Sequence, residues 1–193
     1  NSILPNLKGK DLIGIPWMVA FALRSDGWYL RQDIIWSKPN PMPESVTDRC
    51  TKAHEYIFLL SKSQKYYYDA ESIKTESLDP DDDRGSRRNR KRFPTDKVNG
   101  IRNSGLYPLA NKRSVWEVNT MPYSEAHFAT FPEKLIVDMI KAGCLEDGVV
   151  IDPFIGAGTT GLVAKKLGRH YIGIELNPAY IKIAENRIFN EIG

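Results

Sequence analysis

The sequence reads as an α/β protein in which at least part of the sheet is parallel, and three features carry that reading. From Val149 onward, apolar runs and helical patterns alternate as "VVIDPF", "TTGLVAKKLG", "HYIGIEL" and "NPAYIKIAENRIFNEI", a β-α-β-α series. Between the first of these strands and its helix stands Gly156-Ala157-Gly158-Thr159-Thr160-Gly161, a glycine motif of the strand-to-helix type. Upstream, Trp28 to Lys62 contains two β-rich runs that can extend a sheet.

Taken in chain order, "KDLIGIPWMVAFALRSDG" places Leu12, Ile15, Pro16, Val19, Phe21, Ala22 and Leu23 at mixed spacings of three and four. That predicts an amphipathic helix starting near Pro16, where a missing N–H costs nothing, and ended by Gly27. "WYLRQDIIWSKPNPMP" is β-rich through Ile34, Ile35 and Trp36 and is stopped by Pro39, Pro41 and Pro43. "EYIFLLSKS" supplies a second strand, and the two are expected as antiparallel neighbours. From Ser61 to about Ser114 the composition turns polar, with Tyr66 to Tyr68 consecutive. A helix is expected from about Pro132 to Ala142, with Leu135, Ile136, Met139 and Ile140 on one face and Gly143 at its end. The four C-terminal elements follow.

The 193 residues match one domain in length. The chain opens on Asn1, not Met, and shows no leader pattern, so we read it as a fragment. Ile13 to Leu23 and Tyr56 to Leu60 are far shorter than the roughly 20 residues that span a bilayer, which predicts a soluble protein without a membrane partner. Cys50 and Cys144 form no C-x-x-C pattern and have no histidine cluster beside them, so buried, unreactive thiols in a reducing cytosol are expected and no metal site. The net charge of +3 is uninformative, but its distribution is not. Asp79, Asp81, Asp82 and Asp83 precede Arg84, Arg87, Arg88, Arg90, Lys91 and Arg92 in a stretch with almost no apolar residue. Such a run is either a solvated loop or a surface that follows a nucleic-acid backbone.

The glycine motif alone says only that a nucleotide-like ligand approaches the backbone closely. Two ligands compete. A dinucleotide pyrophosphate seeks the bare amides of a helix N-terminus, but Asp152 at the mouth of the loop repels it. An adenosyl ligand with a sulfonium and an ammonium group is attracted by the same carboxylate. Glu175 suits either, since both carry a ribose diol. A dinucleotide domain also needs a second β-α-β half downstream, and after Leu176 only one helix remains. The glycine unit must then find sheet partners upstream, with Trp28 to Lys62 as candidates, and the balance falls to S-adenosyl-L-methionine.

At this point "DPFIGAGTTGLVAKKLGRHYIGIELNPAYIKIAENRI" resembles the cofactor half of the amino-group DNA methyltransferases, which act on N6 of adenine or N4 of cytosine. "HFATFPEKL" resembles the segment ahead of it in their permuted subgroup, and the match is strong from Ala126 to Ile188. "DGWYLRQDIIWSKPNPMPESVTDRCTKAHEYIFLLSKS" resembles the later part of the catalytic half. The resemblance implies an S-adenosylmethionine-dependent methyltransferase fold, Rossmann-like, mostly parallel with an antiparallel strand, circularly permuted and N-terminally incomplete. It divides the chain into the end of a catalytic half (1–62), a target-recognition region (63–114) and a cofactor half (115–193).

The family's cofactor loop falls on Asp152, Pro153, Phe154, Gly156 and Gly158, with Asp152 near the methionine amino group and Thr159 and Thr160 capping the next helix. Glu175 would accept from the ribose hydroxyls, and Phe128, Ala129, Thr130 and Phe131 would approach the methionine carboxylate. Asn177 joins the cofactor set, although Asn177 and Pro178 also read as helix cap and first helical residue. Arg84, Arg87, Arg88, Arg90, Lys91 and Arg92 would meet double-stranded DNA. The family holds its flipped base with a Pro-Pro-aromatic loop. No segment here qualifies: Asn177 to Tyr180 lacks the second proline, Asp152 to Phe154 is the cofactor loop, and Asn40 to Pro43 lacks the aromatic residue.

The catalytic motif is therefore expected upstream of Asn1, on this polypeptide or a complementing segment, and the chain alone is expected to expose strand edges. The resemblance further implies a restriction-modification or orphan enzyme of a bacterial, archaeal or viral-host cytoplasm, with room for a homodimer and a cognate restriction endonuclease. The form of "HFATFPEKL" leans slightly to cytosine. A NAD-dependent oxidoreductase and an inactive nucleic-acid-binding remnant are the competing readings.

Overall fold

The computed structural model describes residues 7–77, 109–121 and 131–192. Its first helix, α1 (Ile15–Ser25), begins after Gly14 in a left-handed conformation, with proline in the first turn. It closes where Asp26 N–H donates to the Ala22 carbonyl and Gly27 turns the chain at φ 93°. The helix is where the spacing puts it, but its apolar stripe is not covered. Ala20 is its one fully buried residue, while Ile15, Met18, Val19 and Phe21 stay exposed. What holds it is Trp17, whose ring meets Phe58 edge-on at 4.9 Å and Tyr56 at 5.6 Å.

Those two aromatics lie on β2 (His54–Ser61), which pairs antiparallel with β1 (Tyr29–Ser37) from Tyr29 opposite Ser61 to Ser37 opposite His54. This is the pair expected from the sequence, ended by the prolines after Ser37. Three short strands were not anticipated, because two or three residues carry no readable alternation. β3 (Thr75–Glu76) and β4 (Leu109–Ala110) form an antiparallel ribbon, and β5 (Val115–Glu117) runs parallel to the end of β1.

The C-terminal third follows the expected order: α2 (Glu133–Gly143), β6 (Val149–Asp152), α3 (Thr159–Lys166), β7 (His170–Gly173) and α4 (Pro178–Ile192). β6 and β7 are parallel, from Val149 opposite His170 to Asp152 opposite Gly173. The strands of 28–62 do not extend this pair, contrary to the expectation of direct upstream partners. Among the described residues the order β2-β1-β5 forms one sheet and β6-β7 another. The two sets share no strand.

Packing joins them instead. Leu135 of α2 lies with Ile34, Trp36, Trp116 and Val118, while Ile136 and Ile140 of the same helix lie with Val163 and Ala164 of α3. Each such aliphatic side chain contributes about 1.5–3 kcal/mol on burial, so α2 is the element that ties both sheets together. The Trp36 indole N–H also donates to the Val118 carbonyl at 2.8 Å, fixing the inner edge of the first core. One face of the β6–β7 pair has no cover: Val149, Ile151 and Ile172 are 58%, 63% and 53% exposed. Parallel pairs are normally buried on both faces.

Cys50 is exposed and Cys144 only half-buried, so the expectation of two buried thiols fails at Cys50, which sits in the loop between β1 and β2. No described helix is long and apolar enough to cross a membrane.

Candidate ligand site at the glycine loop

Asp152 ends β6 and Glu175 lies two residues beyond β7. The Ile174 N–H donates to the Asp152 carbonyl at 2.9 Å and the Ile155 N–H to the Ile174 carbonyl at 3.1 Å, so both carboxylates flank one loop at the C-terminal ends of adjacent parallel strands. That is where open α/β sheets bind ligands.

The glycines have separate reasons. Gly158 stands at φ +86°, and a Cβ there would come 2.8 Å from the Ala184 Cβ, so α4 rests against the loop. At Gly161 a Cβ would come 2.9 Å from the Tyr171 ring, so this residue lets α3 lie against β7. The letters of the dinucleotide fingerprint are met by backbone geometry, not by a phosphate.

The loop's own donors settle what it favours. The Phe154 N–H donates to Asp152 Oδ1 at 2.9 Å, and the Thr160 hydroxyl donates to Oδ2 at 2.6 Å. The Gly156 N–H donates to Glu175 Oε2 at 3.1 Å, and the Asn177 N–H to Oε1 at 2.8 Å. Four donors that a bound phosphate would call on are already held by the protein's own anions. A carboxylate has about four acceptor positions, so Asp152 and Glu175 each keep capacity for ammonium or hydroxyl donors of a ligand.

Of the expected site residues, Asp152, Gly156, Gly158, Thr160 and Glu175 are brought together by these bonds. Pro153 is exposed, and Phe154 is 86% exposed beside them. Thr159 and Thr160 do not cap α3 as expected. Its N-cap is Gly158, with no side-chain cap bond, because the Thr160 hydroxyl turns to Asp152 and Thr159 Oγ1 accepts from Arg187 at 3.0 Å. Asn177 does cap: its Oδ1 accepts from the Ala179 N–H at 3.0 Å, and Pro178 opens α4. Phe131 is half-buried against both cores. Phe128, Ala129 and Thr130 lie outside the described residues, as do Arg84, Arg87, Arg88, Arg90, Lys91 and Arg92.

Sequence reasoning passed over a charged set on the helices behind the loop. Arg187 donates to Thr159 Oγ1, to Glu133 Oε1 at 2.8 Å and to Glu191 Oε1 at 3.5 Å. Lys166 donates to Glu133 Oε2 at 3.1 Å and to Glu191 Oε2 at 2.7 Å. The bond from Lys166 is the main cause that holds the Glu191 carboxyl below its ordinary pKa, and the bond to Glu191 is the main cause that raises the Lys166 ammonium. The readable signal was an arginine between Ala184 and Ile188, on the buried face of α4.

Two open clefts lie elsewhere. One, of about 1090 Å³, is lined among others by Lys112, Trp116 and Asp138, and another, of about 530 Å³, by Lys38, Met42 and His54. Neither includes a residue of the glycine loop.

A family model described as DNA methylase, of the N6/N4 type, matches residues 5–186. Type II methyltransferase M.Cfr9I of Citrobacter freundii is 50% identical over 185 residues, which cover 96% of this chain and 53% of that protein. Type II methyltransferase M.SmaI of Serratia marcescens is 50% identical over 182 residues, covering 94% and 54%. The chain thus spans about half the length of these curated relatives. Among solved structures, the cytosine-N4-specific PvuII DNA methyltransferase superposes with a TM-score of 0.65 at 17% identity, over 99% of this chain and 66% of that one. The complex of M1.HpyAVI with SAM superposes with a TM-score of 0.59 at 22% identity, over 93% and 72%. These likenesses establish the methyltransferase fold.

Proposed function

The chain belongs to the DNA methylase family, and from that premise we propose that it is the later part of an enzyme that methylates an exocyclic amino group in double-stranded DNA, cytosine N4 or adenine N6. The observation that carries the reading is the pair of carboxylates at the loop, Asp152 and Glu175, whose bonds to Phe154, Gly156, Thr160 and Asn177 leave a cationic, hydroxyl-bearing ligand favoured over a pyrophosphate. The group present in a family member with these features is S-adenosylmethionine, which when bound supplies an electrophilic methyl on its sulfonium. Asp152 would hold its ammonium and Glu175 its ribose hydroxyls, with Gly156 and Gly158 admitting the ligand to the backbone. Phe128 to Phe131 and Asn177 complete the proposed set.

Equilibrium binding separates this reading from the nicotinamide one. S-adenosylhomocysteine should bind and NAD should not; the reverse order reassigns the loop. Glu175→Ala should weaken S-adenosylhomocysteine by about 1.5–3 kcal/mol, because a charged acceptor loses its ribose hydrogen bonds. An unchanged dissociation constant in a folded variant removes Glu175 from the site.

We assign 63–114 to target recognition, 1–62 to the end of the catalytic half and 115–193 to the cofactor half. Support for the first comes from the ribbon of β3 and β4: the chain leaves at Glu76 and returns at Leu109 on paired strands, so the stretch between is an excursion with one root. If about four of its six clustered basic residues meet phosphates, neutralising all six should flatten the log-log salt dependence of DNA binding by roughly 3 to 4 units. A slope equal to the parent's makes the run a solvated loop. The relatives named as type II methyltransferases support a restriction-modification setting, with a cognate endonuclease as partner and the bacterial cytoplasm as its place. Cytosine N4 is the target base we favour.

A further inference from the structure

We propose that Arg187 is a positioning residue that sets the spacing between the two halves of the cofactor cleft, an inference that rests on the reading of the glycine loop as an S-adenosylmethionine site. Its guanidinium, 9% exposed, reaches the first residue of two helices at once. One is Thr159, which opens α3 directly after the glycine loop; the other is Glu133, which opens α2 directly after the Phe128 to Phe131 segment. No strand pairing among the described residues joins those two segments. Arg187 does so from a third element, α4, through a planar fork whose donors point to different partners, a geometry that the single ammonium of lysine does not reproduce.

The arrangement is more than adhesion between helices. α2 and α3 already pack through Ile136, Ile140, Val163 and Ala164, well away from their first turns. Exposed ion pairs add little to such packing. Arg187 instead lies under the starts of both helices and spends one donor on a neutral hydroxyl, Thr159 Oγ1, which ion pairing between helices does not require. Lys166 and Glu191 close the set, with Lys166 holding the second oxygen of Glu133 at 3.1 Å. The carboxylate of Glu133 is thereby fixed on both oxygens, and with it the point at which the Phe128 to Phe131 segment enters α2. Moving that point relative to Asp152 and Glu175 changes the distance a ligand must span.

This makes a test that simple stabilisation does not mimic. S-adenosylhomocysteine spans both halves, whereas adenosine lacks the amino-acid end and calls only on the Glu175 side. Arg187→Met should weaken S-adenosylhomocysteine about tenfold and leave adenosine within about twofold, and Arg187→Lys should recover only part of the loss. Glu133→Gln, which keeps an acceptor but removes the charge, serves as the second variant if Arg187→Met does not fold, and should shift the two ligands in the same unequal way. Equal losses for both ligands, or no loss in folded variants, overturn the assignment of Arg187. If the parent chain binds neither ligand, the cofactor reading itself has failed.

Discussion

A polypeptide of residues 1–193 should bind S-adenosylhomocysteine yet transfer no measurable methyl group to DNA, and adding a segment that carries a Pro-Pro-aromatic loop, fused upstream or supplied in trans, should restore transfer. The sequence contains no two consecutive prolines, so the acceptors that orient the amino group and the ring that stacks on the base have no counterpart here. Placing the reacting groups is worth several powers of ten in rate, so the expected loss is at least about a thousandfold. The fold carries the same message. Among the described residues β6 pairs only with β7, and β5 only with β1, and both are parallel pairings that offer an edge to a further strand. Beside the β6 edge, Val149, Ile151 and Ile172 present an uncovered apolar face, and the outer side of α1 presents Ile15, Met18 and Val19. Titrating the chain with the complementing segment should protect amides of β6 from exchange as activity appears. Full turnover by residues 1–193 alone would falsify this account of the base pocket and return Asn177 to Tyr180 to consideration as the catalytic loop.

The parts of this molecule that were legible from sequence are those with local causes. Pro16 and Gly27 bracket α1, Pro39 ends β1, Asn177 and Pro178 start α4, and each acts through its own backbone or its nearest neighbours. The site carboxylates were legible for a related reason: Asp152 and Glu175 end strands whose apolar runs are plain, and chain order puts the glycines between them. What the sequence concealed depends on distant partners. β5 is three residues long and is a strand because Ser114 and Val118 bond to Ile35 and Ser37 of β1, and nothing within Val115 to Glu117 announces that. The exposed stripe of α1 looks the same in sequence whether or not a partner covers it. Thr160 reads as a cap until Asp152, eight residues earlier, is seen to take its hydroxyl proton as a hydrogen bond. Arg187 is hidden most deeply, because its partners Glu133 and Thr159 lie 54 and 28 residues away.

Gly158→Ala should destabilise the chain by roughly 2–5 kcal/mol, with two separable contributions. Holding a residue with a Cβ at φ +86° costs about 1–2 kcal/mol in the left-handed region. The new methyl would also lie 2.8 Å from the Ala184 Cβ and 2.9 Å from its Cα, and overpacking of that kind costs about 1–3 kcal/mol. Because one contact is with backbone, a side-chain rotation cannot relieve it; α4 must move away from the loop. Gly156→Ala is the control. Gly156 stands at φ +53° with its nearest foreign atom, the Phe154 carbonyl oxygen, at 3.9 Å, so it should show the conformational cost of about 1–2 kcal/mol and no packing cost. Urea unfolding of the two variants measures the difference. Adding Ala184→Gly to each then isolates the contact: it should partly rescue Gly158→Ala, giving a favourable coupling of about 1 kcal/mol or more, while its coupling with Gly156→Ala stays within the few tenths typical of independent sites. The same movement of α4 shifts Thr159 and Thr160, so Gly158→Ala should also weaken S-adenosylhomocysteine more than Gly156→Ala does. Equal stabilities for the two variants, with no coupling to Ala184, would mean that α4 does not rest on the glycine loop in solution.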